Sequence, residues 1–275
     1  MANVSLFLSD LEERKKNRRR KLRRLVVVGV VVVLGVVGWW SVFQAPWTRV
    51  ETVEVSGLRR VPEAAVLGMM YAQIQRSFTG SIFGKEHFFA IPRSIDPEII
   101  VAIPNIVGID IERDFRNRAI RIAVREREPF GIWCFKKERP IKCVWFDDEG
   151  IGFEPAPAAE GNLIRSVSDY AQEPVALGEP VIRKEYMKPL ASIFAVFQSS
   201  SVRVREIEYR DPSLAEIVAS TYDGPELFFS LRFETNQAIP VLEDLLTEDV
   251  RGKLIPRFRD LEYIDFRVEQ RAYYK

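Results

Sequence analysis

Hydrophobic and polar residues divide this chain into one unbroken apolar run followed by short alternating stretches. The run is Leu25–Phe43, LVVVGVVVVLGVVGWWSVF, and it holds no charged residue. At about 1.5 Å per residue such a helix reaches roughly 28 Å, close to the hydrocarbon thickness of a bilayer. Valine is a poor helix former in water, but in lipid a helix is one of the few ways to satisfy every backbone polar group. Trp39 and Trp40, with Trp47 just beyond, gather at one end as an interfacial aromatic belt does. The pattern predicts a transmembrane helix over 25–43. A cleaved signal peptide would want a shorter apolar core and a small-x-small site, and Trp-Trp-Ser-Val-Phe-Gln-Ala-Pro offers no good one.

Beyond Arg49 the period changes. Val53 and Val55 alternate with Thr52, Glu54 and Ser56, a half-buried strand stopped by Gly57. Pro62 and Glu63 open a helix carrying Ala64, Ala65, Val66, Leu67, Met69 and Met70. Residues 72–92, with Gly80, Gly84 and Pro92, read as a long loop. Asp96 and Pro97 start a second helix through Ala102, ended by Pro104. Val107, Ile109 and Ile111 alternate in a second strand, and Ile120, Ile122 and Val124 in a third. Two helices covering one face of a three-stranded sheet make a complete domain over 49–128.

The remainder, 129–275, reads as β-rich with a few helices. Trp133-Cys134-Phe135 and Cys143-Val144-Trp145-Phe146 flank a charged turn, and 147–153 is a turn followed by a strand. The segment 156–180 reads as loop. Tyr186, Leu190, Ile193, Phe194 and Phe197 share one helical face. Strands begin again at Val202–Tyr209, a hairpin turns at Asp223-Gly224, short helices follow at 239–246 and around 251–258, and Leu261–Lys275 closes the chain as a strand. The fold class is α+β.

Charge fixes a direction. Nine basic residues precede the apolar run, from Arg14 to Arg24, against Asp10, Glu12 and Glu13. The positive-inside rule puts this basic tail, 1–24, in the cytoplasm and everything after Phe43 outside: a single-pass, type II membrane protein. The whole chain carries a formal charge of +1, so the part outside is acidic. That argues against a nucleic-acid partner; the basic tail suits anionic lipid headgroups.

Several short passages resemble a known family. Val53-x-Val55-x-Gly57 and Ile122-x-Val124-x-Glu126-Arg127-Glu128-Pro129-Phe130, with Trp133 as the following aromatic, resemble the bacterial cell-division proteins FtsQ and DivIB. Gly131 stands where Ala is usual. Asp147–Phe153 is similar to the family's D-x-x-G-x-x-F, Leu163-Ile164 is a remnant of its Leu-Pro-x-Ile-x-Gly passage, and Tyr263–Lys275 resembles its closing Y-[IV]-D-L-R-[FY] tail. The resemblance implies that 49–128 is a POTRA domain (β-α-α-β-β) and 129–275 the family's β domain. It implies a non-enzymatic divisome scaffold at the septum, binding FtsB/DivIC-like and FtsL-like proteins by strand addition at the C-terminal strand. Carried over, the partner-binding residues are Tyr263, Arg267, Val268, Tyr273 and Tyr274. Glu126, Arg127, Glu128 and Pro129 fall at the junction of the two outer domains, where their charges either set the angle or form an ordinary solvated strand end.

Catalytic chemistry finds no constellation. His87, the one histidine, stands between Glu86 and Phe88 in a predicted loop with no motif partner. No nucleophile elbow, zinc-binding helix, phosphate loop or dinucleotide fingerprint occurs, so no cofactor, metal or small-molecule substrate is expected. Asp147-Asp148-Glu149 reads as a turn before Gly150 rather than a metal site. If the hairpin is centred between Glu138 and Arg139, Cys134 and Cys143 oppose each other within disulfide reach, and a bridge or two free thiols both fit. An alternative function is a POTRA-bearing chaperone or secretion component, which would normally carry several POTRA copies or a barrel. An anchored cell-wall enzyme would need catalytic residues the chain does not display.

Overall fold

The computed structural model describes residues 2–45, 48–137, 139–158, 164–246 and 258–275. Trp47, Glu138, Leu163 and most of the expected helix around 251–258 lie outside the described residues. The fold is α+β, with one N-terminal apolar helix and a large β-sheet domain.

Helix α1 (Ala2–Gln44) opens the chain, and its stretch Lys21–Ser41 is long and apolar enough to cross a membrane. By length and composition it suits a membrane anchor or a signal sequence. There follow β1 (Thr52–Ser56), α2 (Glu63–Arg76), α3 (Phe78–Phe83), α4 (Pro97–Ile100), β2 (Ile106–Asp114) and β3 (Ala119–Glu126). The three strands lie in the order β1-β3-β2, with β1 parallel to β3. Ile120, Ile122 and Val124 are buried at period two, and Val66, Met69, Met70 and Ile74 at helical spacing on α2.

Three expectations need correction here. The segment 72–92 is not all loop: α2 runs to Arg76 and α3 follows. Ser77 Oγ accepts the Gly80 N–H at 2.9 Å to start α3, and Gly84 at φ 76° ends it, so of the glycines that read as loop punctuation one lies inside the helix and the other is its C-cap. Helix α4 is one turn only, and Asp96 makes no side-chain cap to it. On β2, Val107 turns outward and Ile106 takes the buried position.

The chain divides into two compact units that interleave in sequence. The first takes Met1–Ser56, Glu63–Ile95 and Asp110–Ala123; the second takes Gly57–Pro62, Asp96–Ile109 and Val124–Lys275. The second unit adds β4 (Gly131–Phe135), β5 (Lys142–Phe146), β6 (Gly152–Ala156), β7 (Ser166–Asp169), α5 (Met187–Ser199), β8 (Val204–Tyr209), β9 (Glu216–Thr221), β10 (Glu226–Ser230), α6 (Ala238–Leu246), β11 (Tyr263–Phe266) and β12 (Tyr273–Tyr274). Its sheet has nine strands in the order β12-β11-β10-β9-β8-β7-β4-β5-β6.

One face of that sheet carries Trp133, Val167, Ile207, Ile217, Phe229 and Phe266. They form one core with Leu190, Ile193, Phe194 and Phe197 of α5 and Leu242 and Leu245 of α6. Trp133 meets Phe146 and Tyr209 edge-on, and Phe197 meets Phe229 the same way, the geometry ring quadrupoles favour.

The stretch 156–180 is corrected too. It contributes β7, which pairs in parallel with both β4 and β8 and so joins the two halves of the sheet. The closing residues are not one strand either: β11 ends at Phe266, the chain turns through Gln270 at φ 58°, and β12 returns antiparallel to β11.

Candidate functional site

A sheet of nine open strands has two edges, and they are built differently. At one, β6 contains Pro155, which has no N–H to offer. Its start is already covered: Gly178 N donates to Gly152 O at 2.7 Å, and Gly152 N donates to Glu179 O at 3.0 Å. The other edge is β12. Lys275 N donates to Tyr263 O at 3.2 Å, and Lys275 O accepts Glu262 N at 2.7 Å. Both backbone groups of Lys275 therefore point toward β11, and by alternation those of Tyr274 point away from it. Tyr273, Tyr274 and Val268 are each 44–51% exposed around this edge.

The five residues expected to take a partner do not act alike. Tyr263 lies on β11, inside the sheet rather than at its edge, with its half-buried ring edge-on to Phe228. Arg267 follows β11 and is held fast. Its Nε and Nη2 donate to the two oxygens of Asp265 at 2.9 and 2.7 Å, Nη1 donates to Glu216 at 2.9 Å, and the guanidinium lies 4.9 Å from the Phe228 ring centroid. Bidentate contact with Asp265 and the Glu216 pair hold the guanidinium well above its ordinary value. Although burial pushes the Asp265 carboxyl up, the Arg267 contacts outweigh it and leave that carboxyl below the usual range. Arg267 thus clamps β9, β10 and β11 together; Val268, Tyr273 and Tyr274 form the open tip. Asp265 and Glu216 went unnoticed in the sequence, although Asp265 stands two residues before Arg267, the spacing that puts both on one side of an extended chain.

Glu126, Arg127, Glu128 and Pro129 lie together in the second unit. Gly57 makes this possible: at φ 84° and with Val124 O only 2.1 Å from where a Cβ would stand, no other residue brings the loop so close to β3. Glu126 Oε1 accepts the backbone N–H groups of Arg59, Arg60 and Val61 at 2.9–3.2 Å, a nest of successive amides around one carboxylate. Arg127 donates through Nε to Pro104 O at 2.9 Å and pairs with buried Asp147. Asp147 also accepts Glu149 N and Ile151 N, so it caps its own turn and is committed to Arg127. Glu154, which no motif marks, receives Asn105 Nδ2 at 3.2 Å and Arg60 at 3.4 Å. Glu128 pairs with Arg59, an exposed contact of small energetic weight.

Burial pushes the Glu126 carboxyl up, but the N–H groups of Arg59, Val61 and Arg60 outweigh it and hold it below its ordinary value. A carboxylate whose value falls on folding stabilises the fold above its unfolded value and loses that effect as pH drops through the folded one. Glu126→Ala should therefore cost about 1–2 kcal/mol at neutral pH, with the difference from wild type shrinking below about pH 4. Urea unfolding of both proteins across that range measures it.

Cys134 and Cys143 form a disulfide at directly opposed positions of β4 and β5, with Cα atoms 4.0 Å apart. They lie on the sheet face away from α5, packed with Ile132, Trp145 and Ala156. His87 is buried in the first unit, its ring 4.9 Å from Phe83 and 5.3 Å from Phe89. Its Nδ1 accepts Phe89 N, and burial holds the imidazole below the ordinary histidine value. Among the described residues, neither arrangement brings a nucleophile or second base alongside. Neither a protein-family model nor a curated protein sequence matches this chain.

Proposed function

We propose that this chain is a non-enzymatic scaffold of bacterial cell division, of the FtsQ/DivIB kind. It is anchored in the inner membrane by α1 with its N-terminus in the cytoplasm. Its extracytoplasmic part takes strand-forming segments of FtsB/DivIC-like and FtsL-like partners at the septum. Residues 49–128 serve as its POTRA domain, a reading supported by the order β1, α2, short helices, β2, β3.

The observation that carries the proposal is the asymmetry of the large sheet. One edge is covered at its start and contains proline, while the other presents the outward N–H and C=O of Tyr274 beside exposed Tyr273 and Val268. An edge left in that state is a template for an added strand.

Photocrosslinking in cells tests it. A benzoylphenylalanine at Tyr273 should capture a small single-pass, coiled-coil membrane protein, and the same probe at Glu54 on β1 should not. Capture of nascent exported chains from Glu54, with nothing from Tyr273, would replace the scaffold by the chaperone reading.

A further inference from the structure

We propose that the first unit rests directly on the bilayer surface, with Phe78 and Ile82 of α3 entering the headgroup–acyl boundary beside the Trp39–Trp40 end of α1. The proposal relies on α1 being a membrane anchor.

Distance along the chain comes first. Only three residues separate the end of α1 at Gln44 from Thr48, four steps along the chain that span at most about 14 Å. At Thr48 the backbone is already pinned to the loop after α3. Phe88 N donates to Thr48 O at 3.0 Å, Val50 N donates to Glu86 O at 2.8 Å, and Arg49 bridges to His87. Whatever angle α1 takes, the loop at 86–88 stays within that reach of its end. Rings continue the joint: Trp39 lies 4.3 Å from Phe43, and Phe43 stacks on Phe83 at 4.7 Å.

The surface held there is apolar where a water-facing surface would be polar. Phe78 is 79% exposed and Ile82 56%, four residues apart and so on one side of α3. Phe89 and Phe115 are exposed as well, the latter on the β2–β3 turn, which adjoins the start of β1 through Glu51 N to Arg118 O. Isolated exposed apolar residues are ordinary, but four large ones at the end of the unit nearest a membrane-crossing helix are not. Packing, not chance, presents them. A Cβ at Gly80 would stand 1.9 Å from Ile74 O, so α3 is seated against the end of α2 in a way only glycine permits.

The groove between α1 and α3, about 660 Å³, is lined by Trp39, Trp40 and Phe83 together with Arg49, Lys85 and Glu86. Arg116 is exposed on the β2–β3 turn. Apolar side chains beside a net basic set, Arg49, Lys85 and Arg116 against Glu86, match an interface of acyl chains and anionic headgroups. A second copy or a soluble partner would have to occupy the level the headgroups already fill, so the occupant is lipid.

The test uses the full chain in vesicles of phosphatidylethanolamine and phosphatidylglycerol, with benzoylphenylalanine placed singly at Phe78, Ile82, Val33 or Ala123. Val33 lies in the apolar run, and Ala123 is an exposed position at the opposite end of the small sheet from the β2–β3 turn. After illumination, lipid adducts at Phe78 and Ile82 in yields comparable to Val33, and none at Ala123, are expected. Adducts at Val33 alone overturn the footing and leave the anchor standing. Absence of adducts at all four positions overturns both. A protein–protein adduct at Phe78 in place of lipid overturns the footing in favour of a second copy.

Discussion

Asp169→Ala is expected to destabilise the second unit by about 3 kcal/mol. Asp169 is fully buried, and its carboxylate is the meeting point of four donors. Oδ2 accepts Trp133 Nε1 at 3.0 Å and Gln172 Nε2 at 2.7 Å; Oδ1 accepts Ala171 N and Gln172 N at 2.8 and 2.9 Å. Alanine leaves the indole N–H of the fully buried Trp133 in an apolar core with no acceptor, and frees the turn that starts after β7. A buried donor without a partner costs its full desolvation, which outweighs the small apolar gain of the methyl group. Asp169→Asn should cost roughly half as much: its oxygen can still accept the two turn amides, while the Trp133 N–H, left facing the donor NH₂, loses its acceptor. Urea unfolding followed by tryptophan fluorescence measures both. Burial and then the nearby Asp169 carboxylate push the Tyr209 phenol up to about 12, so in Asp169→Ala its titration should move downward. Equal midpoints for Asp169→Ala and wild type would show that β7 is held by strand pairing alone.

That residue also marks where the sequence stops being readable. Alternation in Val53–Val55 and Ile120–Val124, the helical face of Leu190–Phe197 and the Asp223-Gly224 turn all carry their structure locally, because each buries one side and leaves the other in water. Ser166-Val167-Ser168-Asp169 has one apolar residue. It becomes a strand because β4 and β8 supply hydrogen bonds on both sides and Trp133 supplies a donor, and those partners lie 30 or more residues away in sequence. The same holds for the candidate edge. A closing run rich in tyrosine announced a strand, but which strand is outermost depends on the turn at Gln270 folding Tyr273 and Tyr274 back onto β11. Arg267 looked like a cation held out to a partner. Asp265, Glu216 and Phe228 instead absorb its charge and its planar face, and two of those three come from other strands. In the first unit, Gly80 and Gly84 signalled a loop, whereas one is a close-packing position and the other a helix end.

Tyr274→Pro is the substitution expected to separate partner capture from folding. The Tyr274 N–H faces away from β11, so its loss leaves the bonds from Lys275 to Tyr263 and Glu262 in place. A partner strand added on the outer side would need that N–H, and the proline ring would also crowd its backbone. Affinity for the partner's extracytoplasmic segment should fall about 30-fold or more, the size of a hot-spot loss near 2 kcal/mol. Tyr222→Ser, an exposed position at the end of β9 facing no edge, should leave affinity unchanged. Arg267→Glu would be a poorer probe, since it places a second acid against Asp265 and Glu216 and loosens three strands at once. Binding measured by titration calorimetry, beside a urea midpoint for each variant, separates the two effects. If Tyr274→Pro binds as wild type while folded, the partner does not add a strand at β12, and side-chain contacts with Tyr273 and Val268 become the remaining means of docking at this edge.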